Sequence, residues 1–255
     1  MPTNAISSDG RLVLATDLDG TFLGGSDAQR AAFYEHINTF RDRVLLVFVT
    51  GRDLGFIREL CAQPGMPQPD YIIGDVGTTV VHGATHEPLH ELHTWIESRW
   101  NGAGDRVRAM LADEPGIELQ PTPFERRVSY YYRPDELREE TLRKIEAAGL
   151  DWILSADVYL DVMPRGIAKG PTLLKFVEAL GIDPEDVVAC GDTLNDLSLF
   201  ETGLKGVAVG NSEPRLVEHI RHMDNVYHSP HPGVVGIHDG LQVFGKQLEV
   251  PLEAT

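Results

Sequence analysis

Two carboxylates placed two residues apart are the clearest chemical feature of this sequence. Asp17 and Asp19 follow a short apolar run at residues 12–15, and Gly20 comes directly after them. The run predicts a buried strand that ends at the carboxylates, and side chains two apart on a strand share a face. Carboxylates this close repel each other unless a cation or a proton lies between them. The pair therefore predicts a metal ion, a shared proton, or both.

The same two side chains suit phosphoryl chemistry. A carboxylate can attack phosphorus and form an aspartyl-phosphate, and Asp17 is the candidate nucleophile. A second acid must protonate the departing oxygen and later deprotonate the attacking water, and Asp19 is placed for that role. The alternative is that the segment is only a polar turn after a strand.

A second motif, Thr50-Gly51-Arg52, directly follows the apolar run at residues 44–49. A hydroxyl and exposed backbone N–H groups that open a helix suit a phosphoryl oxygen, so Thr50 and Gly51 are candidate phosphate-binding residues. The alternative is an ordinary helix cap. Arg52 either binds substrate or pairs with one of the many acidic side chains.

Lys169 stands at the start of a predicted helix, after Gly166-Ile167-Ala168. A lysine at a helix N-terminus opposes the helix dipole, which favours a functional reason for its presence. Neutralising Asp17 and a bound phosphate would be such a reason, and a solvated surface lysine is the alternative.

The fourth motif, Gly191 to Asp196, follows the predicted strand at residues 187–190. Asp192, together with Asp17, Asp19 and a backbone carbonyl, would supply the few oxygen ligands that Mg²⁺ takes from a protein. Asn195 would bind phosphate, and Asp196 would orient Lys169 or a metal-bound water. A helix N-cap is the alternative for Asp192.

The elements that must position these motifs alternate between strand and helix over residues 11–83 and again over 166–248. Such alternation predicts an α/β fold with a doubly wound parallel sheet. Residues 84–165 instead follow the order helix, strand, strand, helix, strand, strand, which indicates an antiparallel sheet. We therefore predict a catalytic core at 1–83 and 166–255 and an inserted α+β cap domain at 84–165.

Charge and composition limit the partners. The chain has 255 residues, 39 acidic and 22 basic, for a net charge of −17. Such a surface argues against nucleic acid or an anionic membrane as partner, and an anionic substrate would need a local cation. The two cysteines, Cys61 and Cys190, are expected to be buried thiols. Since neither a signal peptide nor a long apolar segment is evident, we expect a cytoplasmic protein, and we expect a monomer.

Taken together, the motifs resemble those of the haloacid-dehalogenase-like superfamily of phosphohydrolases. Their order is Asp-x-Asp, Thr, Lys, then Gly-Asp-x-x-Asn-Asp, and the likeness covers nearly the whole chain with its inserted cap. This resemblance implies an aspartyl-phosphate intermediate, Mg²⁺ as cofactor, and for the residues of the four motifs the roles given above.

Within the superfamily, the chain looks most like the sucrose-phosphate phosphatases and their disaccharide-phosphate relatives. Three positions differ from that group's pattern, with Gly20 in place of Asn, Arg127 in place of Lys and Tyr131 in place of His. The resemblance therefore implies a sugar phosphatase and leaves its substrate open. The candidates are sucrose-6-phosphate, mannosylfructose-phosphate, glucosylglycerol-phosphate and a hexose phosphate.

Alternation along the predicted cap strands places apolar side chains on one face and polar ones on the other. The apolar face should pack on the cap helices, and the polar face should face the catalytic core across a cleft. Five residues of or beside that polar face are expected to recognise the glycosyl group: Glu125, Arg127, Ser129, Tyr131 and Asp161. The alternative is an inert, solvent-exposed face.

Two other activities fit the same nucleophile. A sugar phosphomutase or phosphotransferase would pass the phosphoryl group to a second hydroxyl, and a signalling receiver would store it on an aspartate. The large cap and the candidate acid Asp19 argue against the receiver.

Overall fold

The computed structural model of the chain describes residues 11–122 and 124–248. The outer ends of the predicted core, 1–10 and 249–255, lie outside these residues. The described residues form two sheets, which we call the large sheet, with seven strands, and the small sheet, with four.

The large sheet has the order β11-β10-β9-β1-β2-β3-β4, and each neighbouring pair is parallel except β3 with β4. This confirms the predicted doubly wound α/β fold. Its strands are β1 (Leu12–Thr16), β2 (Val44–Val49), β3 (Tyr71–Gly74), β4 (Thr79–His82), β9 (Val187–Gly191), β10 (Lys205–Ala208) and β11 (Val226–His228).

The helices that accompany the large sheet are α1 (Asp27–Thr39), α2 (Leu54–Cys61), α6 (Lys169–Leu180), α7 (Leu197–Phe200), α8 (Pro214–Ile220) and α9 (Gly233–Val243). Successive residues of β1 pack into two different hydrophobic clusters, with Leu12 and Leu14 in one and Val13 and Ala15 in the other. Both faces of the sheet are therefore covered, as the continuous apolar character of the strand requires.

The small sheet is antiparallel throughout, with the order β5-β6-β8-β7. Its strands are β5 (Ile117–Leu119), β6 (Val128–Tyr132), β7 (Leu150–Ser155) and β8 (Tyr159–Pro164), and the accompanying helices are α3 (His90–Trp100), α4 (Gly104–Met110) and α5 (Glu139–Ala147). Val128 and Tyr130 of β6 share a buried cluster with Val107 of α4 and Ile145 of α5. The apolar face of this sheet thus packs on helices, as predicted, while the division of the chain into core and cap domains stays a prediction.

The sequence pattern missed three features of the structure. The single helix predicted before β5 is two helices, because Asn101 and Gly102 adopt left-handed φ values of 48° and 60° that end α3. The second and third missed features are the strand β11 and the helix α9. The strand is only three residues long, and the helix is rich in glycine, a poor helix former. At Gly240 of α9 a Cβ would lie 2.3 Å from Val207, so close packing on β10 explains that glycine.

Among the residues that the structure describes, no helix is both long and apolar enough to cross a membrane.

Candidate active site

The site lies where three adjacent strands of the large sheet end. Asp17 follows β1, Thr50 follows β2 and Asp192 follows β9. Because these strands are parallel neighbours, their carboxyl ends meet at one edge, where open α/β sheets bind ligands. The sheet therefore brings together residues that are up to 175 positions apart, Asp17 and Asp192.

Lys169 is the centre of the buried network at this edge. Its side chain is fully buried, and Nζ donates to Asp17 Oδ1 at 2.6 Å, to Asp196 Oδ1 at 2.6 Å and to Asn195 Oδ1 at 2.8 Å. Burial lowers its pKa, but the charges of Asp17 and Asp196 outweigh that effect and hold the pKa above its ordinary value. The lysine is thus a charged part of the site and not a solvated surface residue.

Three carboxylates share this buried edge with one ammonium group. Oxygens of Asp17, Asp192 and Asp196 lie within 4.8 Å of one another. Burial raises the pKa of Asp17 to about 8, against the charge of Lys169. Burial and the Asp196 charge raise the pKa of Asp192 to about 7. The three acidic groups against one ammonium group, and the all-oxygen donor set, fit a hard divalent cation such as Mg²⁺, which would favour the ionised carboxylates.

Asp196 takes a supporting place in that cluster. Besides the bond from Lys169, its Oδ2 accepts from the backbone N–H groups of Asp192 and Thr193, both at 3.0 Å. The protein thus engages both of its oxygens, with the Lys169 ammonium group on one and two backbone N–H groups on the other. The predicted supporting role of Asp196 agrees with this geometry.

Asp192 is held by Thr21 and Asn211, neither of which was predicted to contact it. Thr21 Oγ1 donates to Asp192 Oδ1 at 2.7 Å, and Asn211 Nδ2 donates to Oδ2 at 3.2 Å. Asn211 also donates to the carbonyl of Gly20 at 3.1 Å, so it ties the first motif to the fourth. Its position shortly after β10 was a usable signal, since the other site residues also follow strands.

The Asp19 carboxylate does not join the cluster of acids. It is half-exposed, and its oxygens accept from Arg52 Nε at 2.7 Å and Nη2 at 2.9 Å. The backbone turns away after Asp19, because Gly20 has a left-handed φ of 77°. The structure therefore gives no support to the predicted metal contact by the Asp19 side chain. Of the two partners considered for Arg52, substrate or an acidic side chain, the structure shows the acidic side chain of Asp19.

Thr50 and Gly51 form the loop beside Asp19 and Asp17. Thr50 is buried, and its Oγ1 accepts from the backbone N–H of Arg52 at 3.1 Å. This bond orients the hydroxyl in the loop that was predicted to bind phosphate.

The five predicted cap residues separate into two groups. Arg127, Ser129 and Asp161 are buried together, with Arg127 Nη1 donating to Asp161 Oδ1 at 3.2 Å and Ser129 Oγ donating to the same oxygen. Tyr131 is 43% exposed. Glu125 is exposed and pairs with Arg126 at 2.9 Å.

The polar face of the small sheet lies against the core at this site. Arg127 Nη2 donates to the carbonyl of Gly51 at 3.1 Å, across the boundary between the two sheets. Tyr159, which the sequence analysis did not propose, lies beside Tyr131 with ring centroids 5.9 Å apart. The two exposed rings are tilted by 44° to each other and form an aromatic pair on this face.

Comparisons with known proteins show which proteins this chain is similar to. A family model described as sucrose-6F-phosphate phosphohydrolase matches residues 10–245. The chain is 40% identical to a glucosylglycerol-phosphate synthase of Pseudomonas anguilliseptica over 92% of its own length, but it spans only 31% of that relative. It is 33% identical to the mannosylfructose-phosphate phosphatase of Agrobacterium fabrum, covering 91% of this chain and 96% of that protein.

Solved structures show the same fold. The X-ray structure of a sucrose-phosphatase from Synechocystis sp. PCC6803, in complex with sucrose and phosphate, matches with a TM-score of 0.83 at 24% identity. That match covers 92% of this chain and 98% of the other. The fold is thus that of the haloacid dehalogenase-like enzymes. Because the family model matches nearly the full length of the chain, the chain belongs to the sucrose-6F-phosphate phosphohydrolase family of sugar phosphatases.

Proposed function

We propose, from membership of this family, that the chain is a Mg²⁺-dependent phosphomonoesterase that hydrolyses a glycosyl phosphate through an aspartyl-phosphate on Asp17. The observation that supports this most strongly is the convergence of Asp17, Lys169 and Asp192, all three buried, with Asn195 at one sheet edge. A carboxylate nucleophile, a fixed ammonium group and a pair of metal-binding acids are the parts that phosphoryl transfer to a carboxylate requires.

In the first step Asp17 attacks phosphorus in line with the sugar oxygen. Asp17 Oδ1 accepts a hydrogen bond from Lys169, whereas no described residue donates one to Asp17 Oδ2. We therefore assign Oδ2 as the nucleophilic oxygen. The P–O bond to the sugar breaks as Asp19 gives its proton to the departing oxygen. Held by Asp17 and Asp192, Mg²⁺ would supply positive charge that orients the phosphoryl group and offsets its negative charge.

The remaining core residues bind and orient the phosphoryl group. Thr50 and Gly51 offer a hydroxyl and a backbone N–H, and Lys169 and Asn195 offer further polar contacts. In the second step, Asp19 takes a proton from water, which attacks phosphorus and releases Asp17. Asp196 acts indirectly, because it fixes the Lys169 ammonium group.

We further propose that residues 84–165 act as a cap that recognises the sugar with the polar face of the small sheet. Tyr131, with Tyr159 beside it, offers an exposed aromatic ring on which a sugar could stack, and Glu125 offers an exposed carboxylate. The buried group of Arg127, Ser129 and Asp161 supports the face from within. Since such a cap would cover the site within one chain, we propose that a monomer is sufficient for activity.

The preferred substrate is a disaccharide phosphate such as sucrose-6-phosphate. A second candidate, glucosylglycerol-phosphate, is favoured by the 40% identity to part of a glucosylglycerol-phosphate synthase. Mannosylfructose-phosphate and hexose phosphates complete the set to be tested.

The test is phosphate release from this set of esters, with p-nitrophenyl phosphate as a substrate that needs no sugar recognition. We expect turnover with Mg²⁺, loss of turnover with chelator and recovery when Mg²⁺ is returned. Analysis of the sugar products separates hydrolysis from transfer to a second hydroxyl. Absence of phosphate release from every ester in the presence of Mg²⁺ would contradict the proposal.

A further inference from the structure

We propose that Arg127 and Asp75 are positioning residues that clamp the polar face of the small sheet onto the Thr50–Arg52 loop and thereby set the Thr50 hydroxyl for phosphate binding. The inference rests on the proposed function, because it assigns a task within that reaction to residues outside the catalytic cluster. We call the contacts among Arg127, Asp161, Gly51 and Asp75 the clamp.

Arg127 is buried between the two sheets and makes contacts on both sides. On the side of the small sheet, its guanidinium bonds Asp161 at 3.2 Å and lies 3.6 Å from the centroid of the Phe124 ring. On the core side, Nη2 donates to the carbonyl of Gly51 at 3.1 Å and lies 3.6 Å from Asp75 Oδ1. One planar cation thus joins the cap strand to the phosphate-binding loop.

The bond to Gly51 also acts on Thr50. Because a trans peptide places its C=O and N–H on opposite sides, holding the Gly51 carbonyl fixes the direction of the Arg52 N–H. That N–H donates to Thr50 Oγ1 at 3.1 Å. Arg127 therefore influences the orientation of the Thr50 hydroxyl through one rigid peptide group.

Asp75 belongs to a turn that connects this loop to the helix carrying Lys169. Asp75 and Val76 have left-handed φ values of 52° and 58°, a conformation that is costly for Val. The turn is held by Asp75 N–H to Arg52 O at 3.1 Å and by Val76 N–H to Thr50 O at 3.0 Å. On its other side, Thr172 Oγ1 of α6 donates to the carbonyl of Gly77 at 2.9 Å.

The clamp combines two hydrogen bonds from Arg127 with a charge contact to Asp75 that is not a hydrogen bond. Asp75 Oδ1 and Arg127 Nε are both buried without a hydrogen-bond partner among the described residues. Burial raises the pKa of Asp75, and the Arg127 charge opposes that rise, so the arginine favours the ionised carboxylate. A contact with incomplete hydrogen bonding can open for substrate entry at lower cost than a fully bonded one.

The experiment compares three variants with the wild-type enzyme. Arg127→Met keeps the length of the side chain and removes its charge. Asp75→Asn removes the other charge, and Asn tolerates the left-handed backbone. Arg215→Ala is the matched control, because it removes an exposed 3.6 Å ion pair to Asp157 that also joins the core to the small sheet.

Two measurements test the clamp. The first is kcat and KM for p-nitrophenyl phosphate, which contains no sugar. We expect Arg127→Met to lower kcat roughly tenfold or more, and Asp75→Asn to lower it less, because both loosen the Thr50 loop and not a sugar contact. Arg215→Ala should stay within about twofold of wild type.

The second measurement is amide hydrogen exchange at Arg52, Asp75 and Val76, which needs no turnover. We expect faster exchange in Arg127→Met and Asp75→Asn and wild-type exchange in Arg215→Ala. Unchanged exchange and unchanged kcat in both clamp variants would overturn the inference. If Arg127→Met does not fold, the result for Asp75→Asn decides.

The two proposals can fail separately. A wild-type protein that releases no phosphate from any ester would contradict the proposed function. A wild-type enzyme that is active, with clamp variants that match it in both kcat and exchange, would contradict only the clamp.

Discussion

The buried charges of the large sheet and those of the small sheet are satisfied to different degrees. At the edge of the large sheet where the parallel strands end, Lys169 donates hydrogen bonds of 2.6–2.8 Å to Asp17, Asp196 and Asn195. Directly before β6 of the small sheet, Arg127 is also buried, yet its Nε has no hydrogen-bond partner among the described residues. Complete bonding suits a site that must stay preorganised, whereas incomplete bonding suits a contact that must move.

The two regions also differ in what is exposed. The core holds Asp17, Asp192 and Asp196 in a buried cluster that could bind a metal ion, while the small sheet presents Tyr131 and Tyr159 to solvent. We therefore expect changes in the core to act on turnover with every substrate. Changes on the outer part of the cap face should act on the choice of substrate.

The largest effect is expected for Asp17→Asn. The variant keeps a carbonyl oxygen for Lys169 but removes the nucleophile, so turnover should fall by roughly 10⁴-fold or more with all esters while the fold persists. Phosphate release and thermal melting check this. Asp27→Asn, at an exposed position of α1, is the control, and retained turnover in Asp17→Asn would exclude Asp17 as nucleophile.

Asp19→Asn should separate acid catalysis from attack. Loss of the acid should lower kcat by about 10²–10⁴-fold for a sugar phosphate, whose leaving oxygen needs a proton. The loss should be smaller for p-nitrophenyl phosphate, because its leaving group departs as a stable anion. Steady-state kinetics with both substrates give the ratio, and equal losses would argue against Asp19 as the general acid.

The stabilising effect of Mg²⁺ should depend on pH. Burial raises the pKa of Asp17 to about 8 and of Asp192 to about 7. Their protonated forms therefore stabilise the metal-free fold at low pH, and this contribution is lost as pH rises from the ordinary carboxyl value, about 4, to about 8. Since Mg²⁺ needs the ionised forms, its apparent affinity should rise about tenfold per pH unit for each proton released below pH 7.

Melting temperatures with Mg²⁺ and with chelator, at about pH 5.5 and about pH 8.5, measure this effect. We expect a larger Mg²⁺-dependent rise in Tm at the higher pH. The same rise at both pH values would show that metal binding does not displace protons from these carboxylates.

The smallest effect is expected at the cap. Tyr131→Ala should raise KM for the preferred sugar phosphate by about threefold to tenfold, the loss of one aromatic contact, and leave kinetics with p-nitrophenyl phosphate unchanged. Arg133→Ala is the control, because Arg133 directly follows the strand that carries Tyr131, is exposed and pairs with Glu136 at 2.7 Å. An unchanged KM for every sugar phosphate in Tyr131→Ala would remove this tyrosine from the sugar-binding surface.

Local pattern in the sequence was sufficient for most of the fold and for the location of the core site. Apolar runs followed by Asp17, Thr50 and Asp192 identified strands and their ends, and strand–helix alternation predicted that those ends would meet. The elements that were missed, β11 and α9, have weak local signals: one is very short, and the other is rich in glycine.

By itself, the sequence determined which residues lie at strand ends and which side chains share a face of a strand. The first follows from the polar and glycine residues that end each apolar run, and the second from the alternation of side chains between the two faces of a strand. Only the tertiary structure decided that Asp19 pairs with Arg52, that Asn211 holds Asp192, and that Arg127 is enclosed while Tyr131 is exposed. These outcomes depend on side chains supplied by segments far apart in the chain, and such neighbours are set by packing between elements and not by spacing within one.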